Sequence, residues 1–333
     1  MSKNIGIDLG TSNTMMYAKG KGIVLREPSV VAEEVKTKRV LAVGSEAKRM
    51  LGKTPGSIRA VHPLKDGVIA DFDSGVKMMH DFFRRVQGNT LFTKPRVIVC
   101  SPYGATEVEQ RAVEDITLEG GARSVALIEE PVAAAIGAGL RVADVRGNMI
   151  VDIGGGTTEV AVLSSGGIVL AHSLRTAGDE IDSAITAYIK RKYNVLVGDN
   201  TSEMLKVRIG SVIPETDRGN MEIRGRNLMN GLPAVLTVNS GEIREAMHAQ
   251  IVSILNCIKG TLEATPPELS SDIYDTGIMM TGGGALIPGL PQLISHITGI
   301  KVTVSSHALD AVAIGIGKVI DAEMNGVVTY RKN

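Results

Sequence analysis

The sequence predicts an α/β fold of two domains built on one duplicated plan, set around a cleft and each carrying a smaller inserted subdomain. Three internal matches lead to it. Ile7-Asp8-Leu9-Gly10-Thr11-Ser12-Asn13-Thr14 and Val151-Asp152-Ile153-Gly154-Gly155-Gly156-Thr157-Thr158 share one pattern of apolar strand, Asp, Gly-rich turn and Thr. Gly-Ile-Val-Leu follows each copy, from Gly22 and again from Gly167. Ala133-Ala134-Ala135-Ile136-Gly137-Ala138-Gly139 and Ala311-Val312-Ala313-Ile314-Gly315-Ile316-Gly317 are identical at five of seven positions.

Along the chain, each Asp-Gly pattern reads as a β-hairpin with Asp at its mouth, and Gly-Ile-Val-Leu adds a third strand. Arg96 to Ser101 and Gly277 to Gly282 are apolar runs ending in small residues, as buried parallel strands are. Each leads on to a helix, and the small residues of the Ala133 and Ala311 segments suit close packing against backbone. The expected domains are 1–147 and 148–317. Segments of different character, about 33–65 and about 190–240, are expected to form the two peripheral subdomains. Residues 318–333 read as a short amphipathic helix and tail that crosses back to the first domain.

Composition narrows the function classes. Thirty-six basic and 36 acidic residues cancel, so no global field favours nucleic acid or an anionic surface, and no nucleic-acid partner is expected. Cys100 and Cys257 are too few for a disulfide framework and fit a reducing cytoplasm. The uncharged run Thr276 to Ile300 carries six glycines, Pro288 and Pro291, so it reads as strand, turn and short helix rather than a membrane span. The first strand is read almost from Met1, so no signal core or amphipathic anchor is expected before it.

The chemistry concentrates in the two turns. Gly10, Thr11, Ser12, Asn13 and Thr14 can cradle one end of a polyphosphate and Gly154, Gly155, Gly156 and Thr157 the other, because Gly-rich turns expose main-chain N–H groups with no Cβ in the way. Asp8 and Asp152 beside them would repel phosphate unless a cation intervened, which points to Mg²⁺ held through its water shell. Either turn alone is better read as a plain hairpin; two of matching design, in matching domains, argue for a nucleotide cleft. Glu130, with Pro131, opens the Ala133 helix and is placed to order a water for in-line attack, or simply to cap the helix. Gly282, Gly283, Gly284 and Ala285 follow a strand and offer a flat floor for an adenosine. Glu203 and Lys206 lie three apart on one helix face, where they reach a ribose or base, or form a surface ion pair. Ala47 to Thr54 formally fits a relaxed Walker A pattern, but Ser45 to Leu51 reads as helix and Thr54-Pro55-Gly56 breaks the chain where the P-loop helix should begin.

These residues resemble the superfamily of actin, the DnaK-type chaperones and the sugar kinases, and within it the MreB family of bacterial actin homologues. The resemblance runs from Ile5 to about Lys318. Its markers are Gly-Ile-Asp-Leu-Gly-Thr from Gly6, Glu-Pro-Ser-Val-Val from Glu27, Lys-Asp-Gly-Val-Ile-Ala-Asp from Lys65 and Ile-Glu-Glu-Pro from Ile128. Asp-Ile-Gly-Gly-Gly-Thr-Thr-Glu-Val from Asp152, Ala-Gly-Asp-Glu from Ala177, Thr-Pro-Pro-Glu-Leu from Thr265 and Thr-Gly-Gly-Gly-Ala-Leu from Thr281 continue it. It implies a duplicated actin-like ATPase fold and ATP as the nucleotide. Phosphate contacts then fall on Thr11, Ser12, Asn13 and Gly154 to Thr157, the water-orienting acid on Glu130, and further nucleotide contacts on Glu203, Lys206 and Gly282 to Ala285.

The resemblance also implies slow hydrolysis coupled to homopolymeric filaments. It suggests a cytoplasmic place at the inner face of the membrane and rod-shape maintenance together with the cell-wall elongation machinery. Some members carry an N-terminal amphipathic helix, which is not expected here, so the Leu91-Phe92 pair, where the family has a short inserting loop, is expected either to contact the membrane or to fold Phe92 back onto its own domain. A peptide-binding chaperone domain has no room after Lys318, and a small-molecule kinase would need an acceptor base that the sequence does not reveal. A nucleotide-binding scaffold without hydrolysis stays open.

Overall fold

The computed structural model describes residues 4–87 and 94–322. Asn4–Leu9, Asn13–Ala18 and Gly22–Pro28 form an antiparallel meander, and Arg96–Ser101 then Ser124–Glu129 add to its first strand in parallel. The second half repeats this order strand for strand. Asn148–Ile153, Thr158–Ser164 and Gly167–Leu174 meander, and Ile278–Thr281 then Val302–Val304 extend the sheet in parallel. The duplication read from local motifs is thus a duplication of two five-stranded sheets.

Both sheets are covered on both faces, which explains why their strands are continuously apolar rather than alternating. Ile5, Ile7, Val97 and Val99 point to one core with Met78, Met79 and Phe82, while Ile98 and Cys100 point to another. In the second sheet Val151, Val160 and Val162 face a core with Ile181 and Ile185, while Ile150, Ala161 and Leu163 turn to the same shared core as Ile98. That shared core holds the two domains together through Glu130–Gly137 and Ala311–Ala322. The second of these runs unbroken from Ala311 to Ala322, so the separate helix expected from 318 is instead the end of a longer one. The apolar periodicity continues through Val319 and Ile320, both buried, and nothing interrupts it at Lys318.

These two helices cross at backbone distance. A Cβ on Gly137 would sit 1.7 Å from the Ala311 carbonyl oxygen, and one on Gly315 would sit 1.8 Å from that of Ala133. The contacts are reciprocal: Gly137 corresponds to Gly315 in the repeat, and Ala133 to Ala311.

Between the repeated parts lie two smaller sheets. Val31–Glu34 is flanked by Val40–Val43 and Ile58–Val61, with the helix Ser45–Met50 against them. In the second half Val195–Leu196, Asn220–Asn227 and Pro233–Asn239 pair beside the helix Asp199–Ile209. The helix at Ser45–Met50 and the absence of one starting at Lys53-Thr54 agree with the rejection of a P-loop there. Strand Ile278–Thr281, a short turn and helix Leu290–Thr298 occupy the uncharged run, and no described helix is long and apolar enough to cross a membrane.

The helix crossing yields a stability test. Gly315→Ala should cost about 3 kcal/mol, because its methyl group must push two backbones apart, and should lower the melting temperature by several degrees. Gly260→Ala, in the helix Ser240–Ala264 with open space at its Cβ, should instead stabilise by about 0.5–1 kcal/mol. Equal melting of the two variants would mean that the crossing has slack.

Candidate functional site

The hairpin turns of the two domains face one another, and their local chemistry is the same. Asp8 is the penultimate residue of its strand and Asp152 of its own. Gly10 N–H donates to Asn13 O at 3.1 Å, and Gly154 N–H to Thr157 O at 2.9 Å. The turns approach closely: a Cβ on Gly155 would lie 2.0 Å from Ser12 Oγ, and one on Gly156 would lie 2.4 Å from Thr11 Oγ1. Thr11 Oγ1 accepts from Gly67 N–H at 3.0 Å. Ser12 Oγ donates across the cleft to Asp179 Oδ1 at 3.1 Å, and Asp179 N–H donates to Gly155 O at 2.8 Å. Asn13 is exposed at the tip. Thr14 is fully buried and shares a hydrogen bond with Ser29 Oγ, so its hydroxyl braces the turn and does not face the cleft.

Behind the turns lies a concentration of acid. Asp8 and Asp152 are almost fully buried, and Glu130 stands at the start of its helix, with Pro131 in the first turn and no side-chain cap. Burial pushes the Asp8 carboxyl up to about 7, with Asp152 adding to the shift and the Cys100 thiol, donating to Oδ1 at 3.6 Å, opposing it. Burial also lifts Asp152. Glu130 is driven well above the carboxylate range, first by burial and then by Glu159, Asp152 and Asp8. Asp152 Oδ1 is buried without a hydrogen-bond partner.

Glu159 completes this group and was missed by the sequence reading. It sits opposite Asp152 in the hairpin register and is 1 % exposed. Its Oε1 accepts from Tyr103 N–H at 2.8 Å, its Oε2 has no partner, and burial lifts it to about 8. A signal existed: Glu159 follows Asp152 by the spacing that a tight hairpin brings into register.

The other expected contacts are distributed around the same opening. Gly282 N–H donates to Ala308 O at 2.9 Å, while Gly284 and Ala285 are buried, Gly284 against Ile153. The accessible part of that floor is therefore Gly282 and Gly283. Glu203 and Lys206 do not pair with each other. Lys206 Nζ donates to Gly178 O and to Asp182 Oδ2, both at 2.8 Å, and Glu203 is held by Lys48 of the opposite subdomain at 2.7 Å. Burial lifts Asp182 to about 6, with Lys206 opposing the shift. Leu91 and Phe92 lie outside the described residues.

Comparison with known proteins agrees with this architecture. The family profile described as MreB/Mbl protein matches residues 2–326. The cell shape-determining protein MreB of Escherichia coli (strain K12) is 50% identical over 331 residues, covering 98% of this chain and 95% of that one. The cell shape-determining protein Mbl of Bacillus subtilis (strain 168) is 48% identical over 320 residues, 96% of each. The crystal structure of MreB 5 of Spiroplasma citri bound to AMPPNP superposes with a TM-score of 0.93 at 37% identity, covering 98% of both chains. The MamK double helical filament, at 20% identity and a TM-score of 0.82 over 96% of this chain and 99% of that one, shares the fold. On sequence, topology and the paired Asp-Gly turns alike, the chain belongs to the MreB/Mbl family.

Proposed function

We propose that the chain is an ATP-dependent, filament-forming cytoskeletal protein that determines rod shape from the inner face of the membrane. On this reading it hydrolyses ATP slowly as it assembles and organises the cell-wall elongation machinery. One observation carries the nucleotide reading: two Gly-rich turns from different domains meet over a buried cluster of carboxylates. Relatives crystallised with AMPPNP and with ADP support it, and the shape-determining relatives support the cellular role.

The residues fit a hard cation. Asp8 and Asp152 present oxygen donors, repel one another, and include an oxygen with no protein partner. Two carboxylates make an incomplete shell, which suits Mg²⁺, an ion that keeps several waters and takes further oxygens from phosphate. When bound, Mg²⁺ would neutralise charge on the phosphates. Thr11, Ser12, Asn13 and the N–H groups of Gly154 to Thr157 would position the phosphate chain, and Glu130 would orient the attacking water. Such positioning contributes most of the catalysis in phosphoryl transfer.

Filament growth follows from closure. A ligand shifts a two-state equilibrium only by its differential affinity, and a nucleotide touching both turns has that difference built in. Membrane contact is assigned to Leu91 and Phe92. Their burial in lipid is worth roughly 3–6 kcal/mol before orientational cost, too little for one molecule and enough for many linked copies.

Three outcomes are expected. Glu130→Ala should bind ATP and release phosphate roughly 100-fold more slowly in single turnover; unchanged release removes Glu130 from the mechanism. The second concerns pH. Asp8 has a folded pKa of about 7 against an ordinary 3.8, so the folded state holds the extra proton between them. Its stabilising contribution is complete below the ordinary value and is lost as pH rises through about 7. Asp8→Asn, neutral throughout, should therefore melt roughly 2–5 °C above the parent at alkaline pH without nucleotide, and the gap should shrink under acid conditions. A gap independent of pH would contradict this. Third, the Leu91→Ser, Phe92→Ser double variant should polymerise and hydrolyse ATP yet fail to co-sediment with liposomes. Retained binding would move the membrane contact elsewhere.

A further inference from the structure

We propose that Lys48 is a positioning residue for the nucleotide: it holds the Glu203 carboxylate in the orientation that receives the ribose hydroxyls, and it does so only when the two inserted subdomains are closed. The inference rests on the proposed nucleotide-contact role of Glu203 and deepens it. Lys48 stands on the helix Ser45–Met50 of the first subdomain, and Glu203 on the helix Asp199–Ile209 of the second. Lys48 Nζ donates to both carboxylate oxygens, at 3.0 Å to Oε1 and 2.7 Å to Oε2.

The side chains are 32% and 42% exposed, so the pair sits at an accessible mouth and not in a packed interior. The cation nearest in sequence, Lys206, is committed elsewhere, to Gly178 O and Asp182. The orientation of Glu203 is therefore set from across the cleft. A carboxylate has about four acceptor positions, so one ammonium bridging both oxygens leaves room for two hydroxyls. Without that bridge a Glu on an accessible helix face samples several rotamers and must surrender them on binding. Because the ammonium belongs to the other subdomain, ribose recognition becomes conditional on closure, which is the differential affinity that a nucleotide-driven switch requires. The lysine sits in the segment that formally resembles a P-loop, and its place is on the ribose side of the cleft instead of the phosphate side.

A half-exposed ion pair has a modest effect, about 2- to 5-fold in affinity. The test compares ADP with 2′,3′-dideoxy-ADP by titration calorimetry, with Mg²⁺, on the full chain kept monomeric. Lys48→Met should reduce the preference for ADP about 2- to 5-fold, through weaker ADP binding with dideoxy-ADP unchanged. Lys48→Arg should restore most of it, and adding Lys48→Met to Glu203→Gln should cost nothing beyond Glu203→Gln alone. If Glu203→Gln removes the preference and Lys48→Met leaves it intact, the positioning role is wrong while the ribose role of Glu203 stands. Equal weakening of both nucleotides by Lys48→Met would make the pair a simple latch and overturn the inference. If Glu203→Gln itself leaves the preference intact, Glu203 does not read the ribose, and the underlying reading fails.

Discussion

The two halves of this protein are joined where Glu130–Gly137 crosses Ala311–Ala322 with backbone against backbone. Close packing of this kind leaves no room for a side chain at Gly137 or Gly315 unless the backbones move apart, and the two contacts are reciprocal under the repeat. Much else follows from it. Glu130–Gly137 continues directly from the strand Ser124–Glu129, and Ala311–Ala322 packs across onto Asn4–Leu9 and Asn13–Ala18 of the first sheet, so the crossing fixes the angle between the sheets. That angle determines whether the turns after Asp8 and Asp152 meet. Glu130, at the first residue of one crossing helix, is aimed by the same contact.

The cleft is held shut by few interactions compared with that base. Ser12 to Asp179 ties the first turn to the helix Gly178–Tyr193, Arg175 to Glu109 and Arg26 to Asp310 join the sheets' flanks, and Lys48 to Glu203 joins the subdomains. Most of these are partly exposed ion pairs or single hydrogen bonds, each contributing on the order of 1 kcal/mol or less. A rigid crossing below and weak contacts above is the mechanical arrangement of a hinge. Closure can then be decided by a ligand.

The acids bear on which ligand the proposed function requires. Burying Asp8, Asp152, Glu130 and Glu159 near one another is unfavourable, as their upward pKa shifts record. Buried charge is retained where something compensates it. Under the proposed function, a cation bound with a polyphosphate would compensate here, and the N–H groups of the two turns would complete the site. On that proposal, the pH dependence expected of the free protein and its response to nucleotide would share one electrostatic origin.

The features of this picture that live in short windows are legible in the chain before it folds. Strand, Asp, Gly-rich turn and strand is a pattern of about ten residues, and its repetition gave the duplicated sheets, the facing aspartates and the small-residue helices. Apolar continuity carries the Ala311 helix past Lys318, where a separate short amphipathic helix is expected from the sequence. Only the tertiary structure decided which side chains meet across the cleft. Lys48 and Glu203 are 155 residues apart, and Ser12 and Asp179 are 167 apart. Thr14 turned out to brace Ser29, and Gly284 and Ala285 to lie beneath the accessible floor. Local propensity carries no information about the pairs that meet across the cleft, because they depend on the angle at which two finished domains pack. That angle is set by the fit of Gly137 and Gly315 against the opposite backbone.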